Sequence, residues 1–396
     1  MRLLLAAALC GCAAAAAPHR VAVNLTSPSF TVSKSFVSFT MDAGETGRWY
    51  EEKAGFWYNE LARALAKPLA PAFFRYGGTG EDYTRYDFPG EAAKFVCPES
   101  AGRACPVMNA TVFKGLVDFS KAAGWQLIYG ANLISNRDAQ NAWDPAPFRS
   151  LLRYADNQGY ALAGWELGNE PDLKCKAGHV RHVNCTMPQD AAVPPAQVAK
   201  DFSAFKALLR GSAVQKGALL LGPDVAGTPS SSFVTPFLEA AAPQLLDVLT
   251  WHFYYGPGSS RPHGLPASSF STPATLDRFL HSASQALSVS HAAQAGGKSK
   301  QVWVGETSST YGGGTANASA GFSAGFMWVD KLGLAANLGH KVVCRKLPRY
   351  QYRWHLGCIR LALMPQVRYR CRQGRYLRTP GTASSGRITS RTLTVK

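Results

Sequence analysis

Two glutamates could form a pair of catalytic carboxyl groups. Glu170 comes directly after Asn169 and a short apolar run, and Glu306 follows a second such run much later in the chain. Hydrolysis of a glycosidic bond needs such a pair, because one carboxylic acid protonates the leaving oxygen while the other attacks the anomeric carbon or activates water. Either glutamate alone is more typical of an exposed surface or a helix N-cap. The prediction therefore depends on the elements that position the two residues.

The chain alternates between short runs rich in β-branched or aromatic residues and longer segments with helical spacing. The predicted strands are residues 36–41, 72–76, 127–131, 164–167, 219–221, 248–253, 301–304 and 341–343. The predicted helices include residues 56–69, 110–123, 146–158, 198–209 and 320–338. This alternation predicts an α/β fold, a (β/α)₈ TIM barrel. An open doubly wound sheet would show the same alternation and is the alternative fold.

Polar or aromatic residues follow six of the eight predicted strands. The segments are MDAG at 41–44, RYGGT at 75–79, WELGNEP at 165–171, GPD at 222–224, WHFYY at 251–255 and GETSS at 305–309. In a (β/α)₈ barrel the catalytic groups collect at the carboxyl ends of the strands. Glu170 would follow the fourth strand and Glu306 the seventh, so the two would face each other across the barrel mouth. Their joint placement favours a glycosidase.

The positive charge of the chain is confined to its C-terminus. The formal net charge is +17, but residues 341–396 hold 14 Lys and Arg and no Asp or Glu. Residues 1–340 therefore hold 28 basic and 25 acidic side chains. Because residues 1–340 are so close to neutral, they lack the basic face of a nucleic-acid-binding domain, and we expect no nucleic acid partner.

The N-terminus has the pattern of an export signal. Arg2 supplies a positive charge, residues 3–17 are apolar, and small residues precede Pro18, so residues 1–17 predict a signal peptide. The run is shorter than the roughly 20 residues of a membrane-spanning helix, although an uncleaved anchor is the alternative. We expect a secreted, extracellular or lysosomal protein without a transmembrane segment. Peripheral association with a membrane or with the extracellular matrix fits that location.

The cysteines and glycosylation motifs agree with export. Outside the leader and the basic end lie four cysteines, for which two local disulfides are the simplest of three pairings: Cys97 with Cys105 and Cys175 with Cys185. Cys175, His179, His182 and Cys185 are also spaced like zinc ligands, but an oxidising compartment favours the disulfide. Four Asn-x-Ser/Thr motifs predict glycosylation at Asn24, Asn109, Asn184 and Asn317.

Four long motifs resemble glycoside hydrolase family 79, the heparanase family. They are GWELGNEP at 164–171, WHFYY at 251–255, GETSSTYGGG at 305–314 and GFMWVDKLGL at 325–334. The likeness runs in order from about residue 21 to about residue 345. It implies a retaining β-glucuronidase-type hydrolase on a (β/α)₈ barrel, with a small β-sandwich beside the barrel.

The resemblance also implies roles for individual residues. Glu170 would be the acid/base and Glu306 the nucleophile, with Asn169 directed at the sugar 2-hydroxyl. Tyr254 matches a tyrosine that hydrogen-bonds the nucleophile. The sugar-contacting positions carried over are Asp42 and Thr79 for the uronic sugar, and Tyr311, Gly312 and Gly313 for the loop whose backbone amides receive the sugar carboxylate.

The chain departs from the family pattern at its end. After residue 345 the expected glycine-asparagine-tyrosine loop, last helix and sandwich strands are missing, and residues 346–396 are rich in Arg and Tyr. Val225-Ala226-Gly227 also lacks a polar sugar contact. We therefore divide the chain into a signal peptide at 1–17, a glycosidase barrel at 18–345 and an atypical basic tail at 346–396. We expect the tail to be disordered or a divergent or erroneous C-terminus, or else an arm that binds sulfated glycans.

Together these features predict a retaining glycoside hydrolase that cleaves β-glucuronidic linkages. Its expected substrate is a heparan-sulfate-like polysaccharide or another glucuronide. The alternative is a non-catalytic extracellular protein, a pseudoenzyme or truncated form, that binds anionic glycans. Nothing in the sequence indicates a metal or an organic cofactor.

Overall fold

The computed structural model describes residues 30–45, 56–89, 105–135, 137–138, 140–173, 193–227, 232–242, 244–292 and 300–347. Eight parallel strands close into a barrel, which confirms the predicted fold class. In order around the barrel they are β1 (Val37–Asp42), β2 (Ala72–Gly77), β5 (Trp125–Ala131), β6 (Gly164–Leu167), β7 (Leu219–Val225), β8 (Val248–Phe253), β9 (Gln301–Thr307) and β10 (Val343–Lys346). Two short strands, β3 (Arg85–Asp87) and β4 (Val107–Asn109), form a separate parallel pair.

Helices cover the outside of the barrel. The described α-helices are α1 (Glu60–Ala66), α2 (Ala110–Ala123), α3 (Ala146–Asn157), α4 (Pro195–Gly211), α5 (Val234–Ala240), α6 (Pro273–Ala292) and α7 (Phe322–Leu338). The predicted helix at 56–69 is divided, because short 3₁₀ turns flank α1 on both sides. None of the helices in the described ranges is long and apolar enough to cross a membrane.

The barrel strands are buried on both faces, as expected of parallel strands covered by helices. Within β5, Leu127 belongs to the large core cluster, whereas its neighbour Ile128 belongs to a smaller one. Successive residues of a strand point to opposite faces, so the smaller cluster fills the barrel interior. The same alternation in β2 directs Phe74 to the large cluster and Arg75 to the interior. The interior is therefore apolar at one end and charged at the carboxyl ends of the strands.

The last strand begins and ends later than the sequence indicated. The prediction was residues 341–343, but β10 is Val343–Lys346 and closes the barrel between β1 and β9. Lys346, which sequence analysis assigned to the tail, pairs with Thr40 of β1. Cys344 in β10 is a buried free cysteine. Barrel closure thus extends one residue beyond the predicted boundary.

Several sequence predictions fall on residues outside the described ranges. These are the signal peptide, Asn24, Cys97, Cys175, Asn184, Cys185 and residues 348–396 of the tail. Cys105 is disulfide-bonded, and because its partner lies outside the described part, the pairing with Cys97 stays a prediction. Glycosylation of Asn109 and Asn317 also stays a prediction. Asn317 is exposed, whereas the Asn109 side chain caps α2 by accepting from the Val112 N–H at 3.0 Å.

Candidate active site

Glu306 lies near the end of β9, where three side chains donate to its carboxylate. The Tyr254 hydroxyl donates to Oε1 at 2.7 Å. The Arg75 guanidinium and the Lys346 ammonium each donate to Oε2 at 3.0 Å. Burial alone would raise the pKa of Glu306, but the charges of Lys346, His252 and Arg75 outweigh it and lower the pKa below the ordinary value of 4.5. Glu306 is therefore ionised, as a nucleophile must be.

Arg75 is the central cation of the barrel interior, with a side chain only 1% exposed. Its Nε donates to Glu166 Oε2 at 2.5 Å, and a terminal nitrogen donates to Asn169 Oδ1 at 3.1 Å. Burial opposes its charge, but the surrounding carboxylates raise the pKa of Arg75 well above its ordinary value. Its fixed fork of donors orients Glu306 and Asn169 at the same time.

Glu81 is a buried carboxyl behind Arg75. Its Oε2 lies 3.7 Å from the guanidinium, and neither oxygen has a hydrogen bond within the described structure. Burial without hydrogen bonds raises the pKa of Glu81 well above 4.5, and the opposing charge of Arg75 does not offset this.

Glu170 lies in the turn after β6 and contacts His252. His252 Nδ1 lies 3.1 Å from Glu170 Oε1, and its Nε2 lies 3.1 Å from Asp224 Oδ1. Burial lowers the pKa of His252, but its hydrogen bonds with Asp224 and Glu170 outweigh that effect and raise the pKa to about 9. Each ring nitrogen of His252 therefore has a carboxyl oxygen within hydrogen-bonding distance. The Glu170 side chain is 22% exposed, so it reaches solvent at the mouth of the barrel, which we call the cleft. Its contact with His252 holds the carboxyl group in place.

Asp42, at the end of β1, is held by a close approach of two loops. Its Oδ1 accepts from the backbone N–H of Gly44 at 2.7 Å and of Gly80 at 3.3 Å. A Cβ at Gly80 would lie 2.1 Å from the Gly44 nitrogen, so only glycine fits there. Asp42 Oδ2 lies 3.6 Å from Lys346 Nζ, and Thr79 is half-buried in the same loop.

The loop after β9 has a backbone that favours glycine at three successive positions. Gly312, Gly313 and Gly314 have φ of 72°, 102° and 86°. Tyr311 is exposed, and its ring lies edge-on to Tyr254 with the centroids 6.1 Å apart. The predicted carboxylate-binding loop therefore lies next to the tyrosine that contacts Glu306.

The structure brings most of the predicted site residues to one rim and adds three more. Asp42, Asn169, Tyr254 and Glu306 are connected through direct contacts or through one shared partner, and Tyr311 touches Tyr254. Glu170 joins this set less directly, through His252 and then Asp224, which lies 3.9 Å from Arg75. The added residues are Arg75, His252 and Lys346. Arg75 and His252 were among the predicted strand ends, and a charged residue within an aromatic run was the signal for Arg75. Lys346 had no signal, because it begins the atypical segment.

Comparison with known proteins gives one matching family profile. Residues 56–333 match the profile "Glycosyl hydrolase family 79, N-terminal domain". Heparanase of Mus musculus is 33% identical over 363 residues, which cover 81% of this chain and 63% of the relative. The chain thus spans less than two thirds of the length of that relative.

Two further relatives are more distant. A hyaluronoglucuronidase of Hirudo nipponia is 30% identical over 71% of this chain and 58% of its own length. Inactive heparanase-2 of Homo sapiens is 29% identical over 60% of this chain and 37% of its own length.

A solved structure shares the fold. A 4-O-α-L-rhamnosyl-β-D-glucuronidase of Fusarium oxysporum superposes with a TM-score of 0.56 at 14% sequence identity, covering 84% of this chain and 69% of that one.

Proposed function

The chain belongs to glycosyl hydrolase family 79, and on that premise we propose that it is a retaining glycosidase that cleaves β-glucuronidic linkages in glycans containing uronic acid. Glu170 is the general acid/base and Glu306 is the nucleophile. The relatives named as heparanase and as hyaluronoglucuronidase support a polysaccharide substrate, heparan-sulfate-like or otherwise glucuronide-containing. The proposal includes the secreted or lysosomal location expected from the leader.

The observation that carries the proposal is the different environment of the two carboxyl groups. Glu306 is nearly buried and receives one hydroxyl and two cationic donors. Glu170 is more exposed and contacts His252. A pair of carboxyl groups in two such environments can divide the roles of acid and nucleophile.

The reaction would proceed in two steps. Glu170 gives its proton to the leaving oxygen while a Glu306 oxygen attacks the anomeric carbon, which forms a glycosyl ester and releases the alcohol. Glu170, now ionised, takes a proton from water, and the hydroxide attacks the anomeric carbon and breaks the ester. Asn169 is placed by Arg75 to contact the 2-hydroxyl, where a hydrogen bond strengthens in the transition state.

The remaining proposed residues bind the uronic sugar. Asp42 and Thr79 contact its hydroxyls, and the backbone amides of Tyr311, Gly312 and Gly313 receive its carboxylate. The positive φ of Gly312 and Gly313 supports this assignment, because glycine adopts such a backbone readily and lets it approach a ligand closely.

The test is hydrolysis of a nitrophenyl β-glucuronide and of heparan sulfate between about pH 4 and 7. Glu170→Gln and Glu306→Gln should abolish turnover of heparan sulfate, while Glu239→Gln on an exposed helix position should not. Proton NMR of the first product formed should show the β-anomer. The α-anomer as first product would contradict the retaining mechanism.

A second candidate function is non-catalytic binding of anionic glycans, which the similarity to inactive heparanase-2 favours. A binder would show no turnover while folded, and the double variant Glu170→Gln/Glu306→Gln would bind heparan sulfate as the unmodified protein does. An enzyme would lose turnover in that variant and keep its fold. Circular dichroism of each protein distinguishes inactivity from unfolding.

A further inference from the structure

Lys346 is a cation built into the floor of the cleft. Its Nζ lies 3.0 Å from Glu306 Oε2 and 3.6 Å from Asp42 Oδ2. The backbone here is fixed, because Lys346 ends β10 in register with Thr40 and the next N–H, of Leu347, donates to the Thr40 carbonyl at 2.8 Å. The side chain is 19% exposed, so the ammonium group borders the solvent-accessible cleft.

The other cation on Glu306 is placed differently. Arg75 is 1% exposed and its other hydrogen bonds go to Glu166, Asn169 and Thr40, so it belongs to the interior. Arg345, next to Lys346, lies on the other face of β10 with its guanidinium 5.1 Å from the centre of the Trp328 ring. Among the described residues of β10, Lys346 therefore supplies the positive charge at the sugar-facing surface.

The charge of Lys346 is stable in this position. Burial and the nearby Arg75 lower its pKa, but Glu306 and Asp42 outweigh them and raise the pKa above 10.5. An ammonium group has three donors, and one of them makes the hydrogen bond to Glu306, while Asp42 at 3.6 Å is an ion-pair contact. A remaining donor is available to a bound sugar.

We propose that Lys346 is a specificity-determining residue, which makes the cleft select a sugar that carries a negative charge over a neutral sugar of the same shape. This inference rests on the proposed function. Glu306 and Asp42 both place negative charge on the cleft floor, so a sugar carboxylate entering the site adds a third anion. Lys346 lies between the two carboxylates and offsets that repulsion. A neutral glucoside brings no charge and gains nothing comparable from the cation.

The experiment measures kcat/KM for nitrophenyl β-glucuronide and nitrophenyl β-glucoside with Lys346→Met and Lys346→Arg. In Lys346→Met the preference for the glucuronide should fall by about 10- to 100-fold, the range for a lost interaction with a charged group. Lys346→Arg should keep most of the preference because it keeps the charge. Lys341→Met, an exposed lysine just before the same strand, is the control and should change nothing.

An equal fall in kcat/KM for both substrates in Lys346→Met would overturn the inference, since Lys346 would then only support Glu306. If the unmodified protein hydrolyses neither these glycosides nor heparan sulfate, the proposed function fails, and binding of free D-glucuronate and D-glucose still tests the inference. Calorimetry or NMR titration should then show glucuronate binding weakened by Lys346→Met and glucose binding unchanged. Glucuronate binding that Lys346→Met leaves intact would refute the role of Lys346.

Discussion

The backbone N–H of Glu170 donates to the carbonyl oxygen of Asp224 at 2.9 Å, and both residues have a left-handed backbone, with φ of 50° and 53°. For residues other than glycine such a backbone is costly and persists only where the surroundings impose it. The same two residues also meet through their side chains, because His252 bridges them. The ends of β6 and β7 are therefore coupled twice, and this coupling fixes the proposed acid relative to the barrel.

The first prediction separates the two proposed catalytic roles by the leaving group. Glu170→Gln cannot protonate a poor leaving group, so kcat on a simple alkyl glucuronide should fall by about 10² to 10⁴-fold. A nitrophenolate leaves without protonation, so the rate of the first step with that substrate should fall much less. A burst of nitrophenol should therefore precede slow turnover. Glu306→Gln should show no burst with either substrate. Bursts in stopped-flow absorbance from both variants would contradict the assignment.

The second prediction concerns stability and Arg75. Arg75→Met leaves Glu166 and Glu306 buried without their shared cation, and breaking such a buried pair costs about 3–5 kcal/mol. The free energy of unfolding in urea should fall by that order. Arg85→Met is the matched control, because Arg85 is 42% exposed and lies 3.8 Å from Asp87. Equal losses in the two variants would show that Arg75 does not stabilise the interior carboxylates.

The barrel strands were predictable where bulky apolar residues dominate a short run. The predicted strands at 164–167 and 248–253 match β6 and β8, because uninterrupted buried runs mark parallel strands. The end of β10 was missed, since Arg345 and Lys346 are charged and sequence patterns assign charged residues to surfaces. Helices α5 and α6 were not predicted either, and α6 contains several serines that weaken its helical pattern.

The candidate site residues could be named from the sequence, but the electrostatic contacts among them could not. Arg75 is held by Glu166 and Glu306, which are 91 and 231 residues away in the chain. Only barrel closure brings these groups together, so no local spacing indicates that Arg75 is their common partner. Lys346 likewise reaches Glu306 only because β10 ends beside β9 and β1.

The third prediction is a pH dependence of stability that comes from His252. Its pKa is about 9 in the folded protein and 6.5 ordinarily, because Asp224 and Glu170 favour the imidazolium over the opposing effects of burial and Arg75. The stabilisation is complete below pH 6.5 and is lost as the pH rises to about 9. It amounts to at most about 3 kcal/mol.

His252→Gln removes this titration. The variant should be less stable than the unmodified protein at pH 6, and the difference should shrink towards pH 9. Urea unfolding at both pH values measures it. His281→Gln, on an exposed position of α6, should leave the pH dependence of stability unchanged. A pH-independent difference between His252→Gln and the unmodified protein would exclude the ion pairs as its source.

The fourth prediction compares two glycines. In Gly80→Ala the new Cβ would lie 2.1 Å from the Gly44 nitrogen and 2.8 Å from Asp42 Oδ1, so the loops must separate and Asp42 must move. Both the melting temperature and kcat/KM for a glucuronide should fall. Gly325→Ala lies inside α7 with no described atom within 4 Å of the new Cβ. It should raise stability by about 0.5–1 kcal/mol, because alanine loses less backbone entropy in a helix, and leave kcat/KM unchanged. Unchanged kcat/KM in a folded Gly80→Ala variant would show that the position of Asp42 does not matter for turnover.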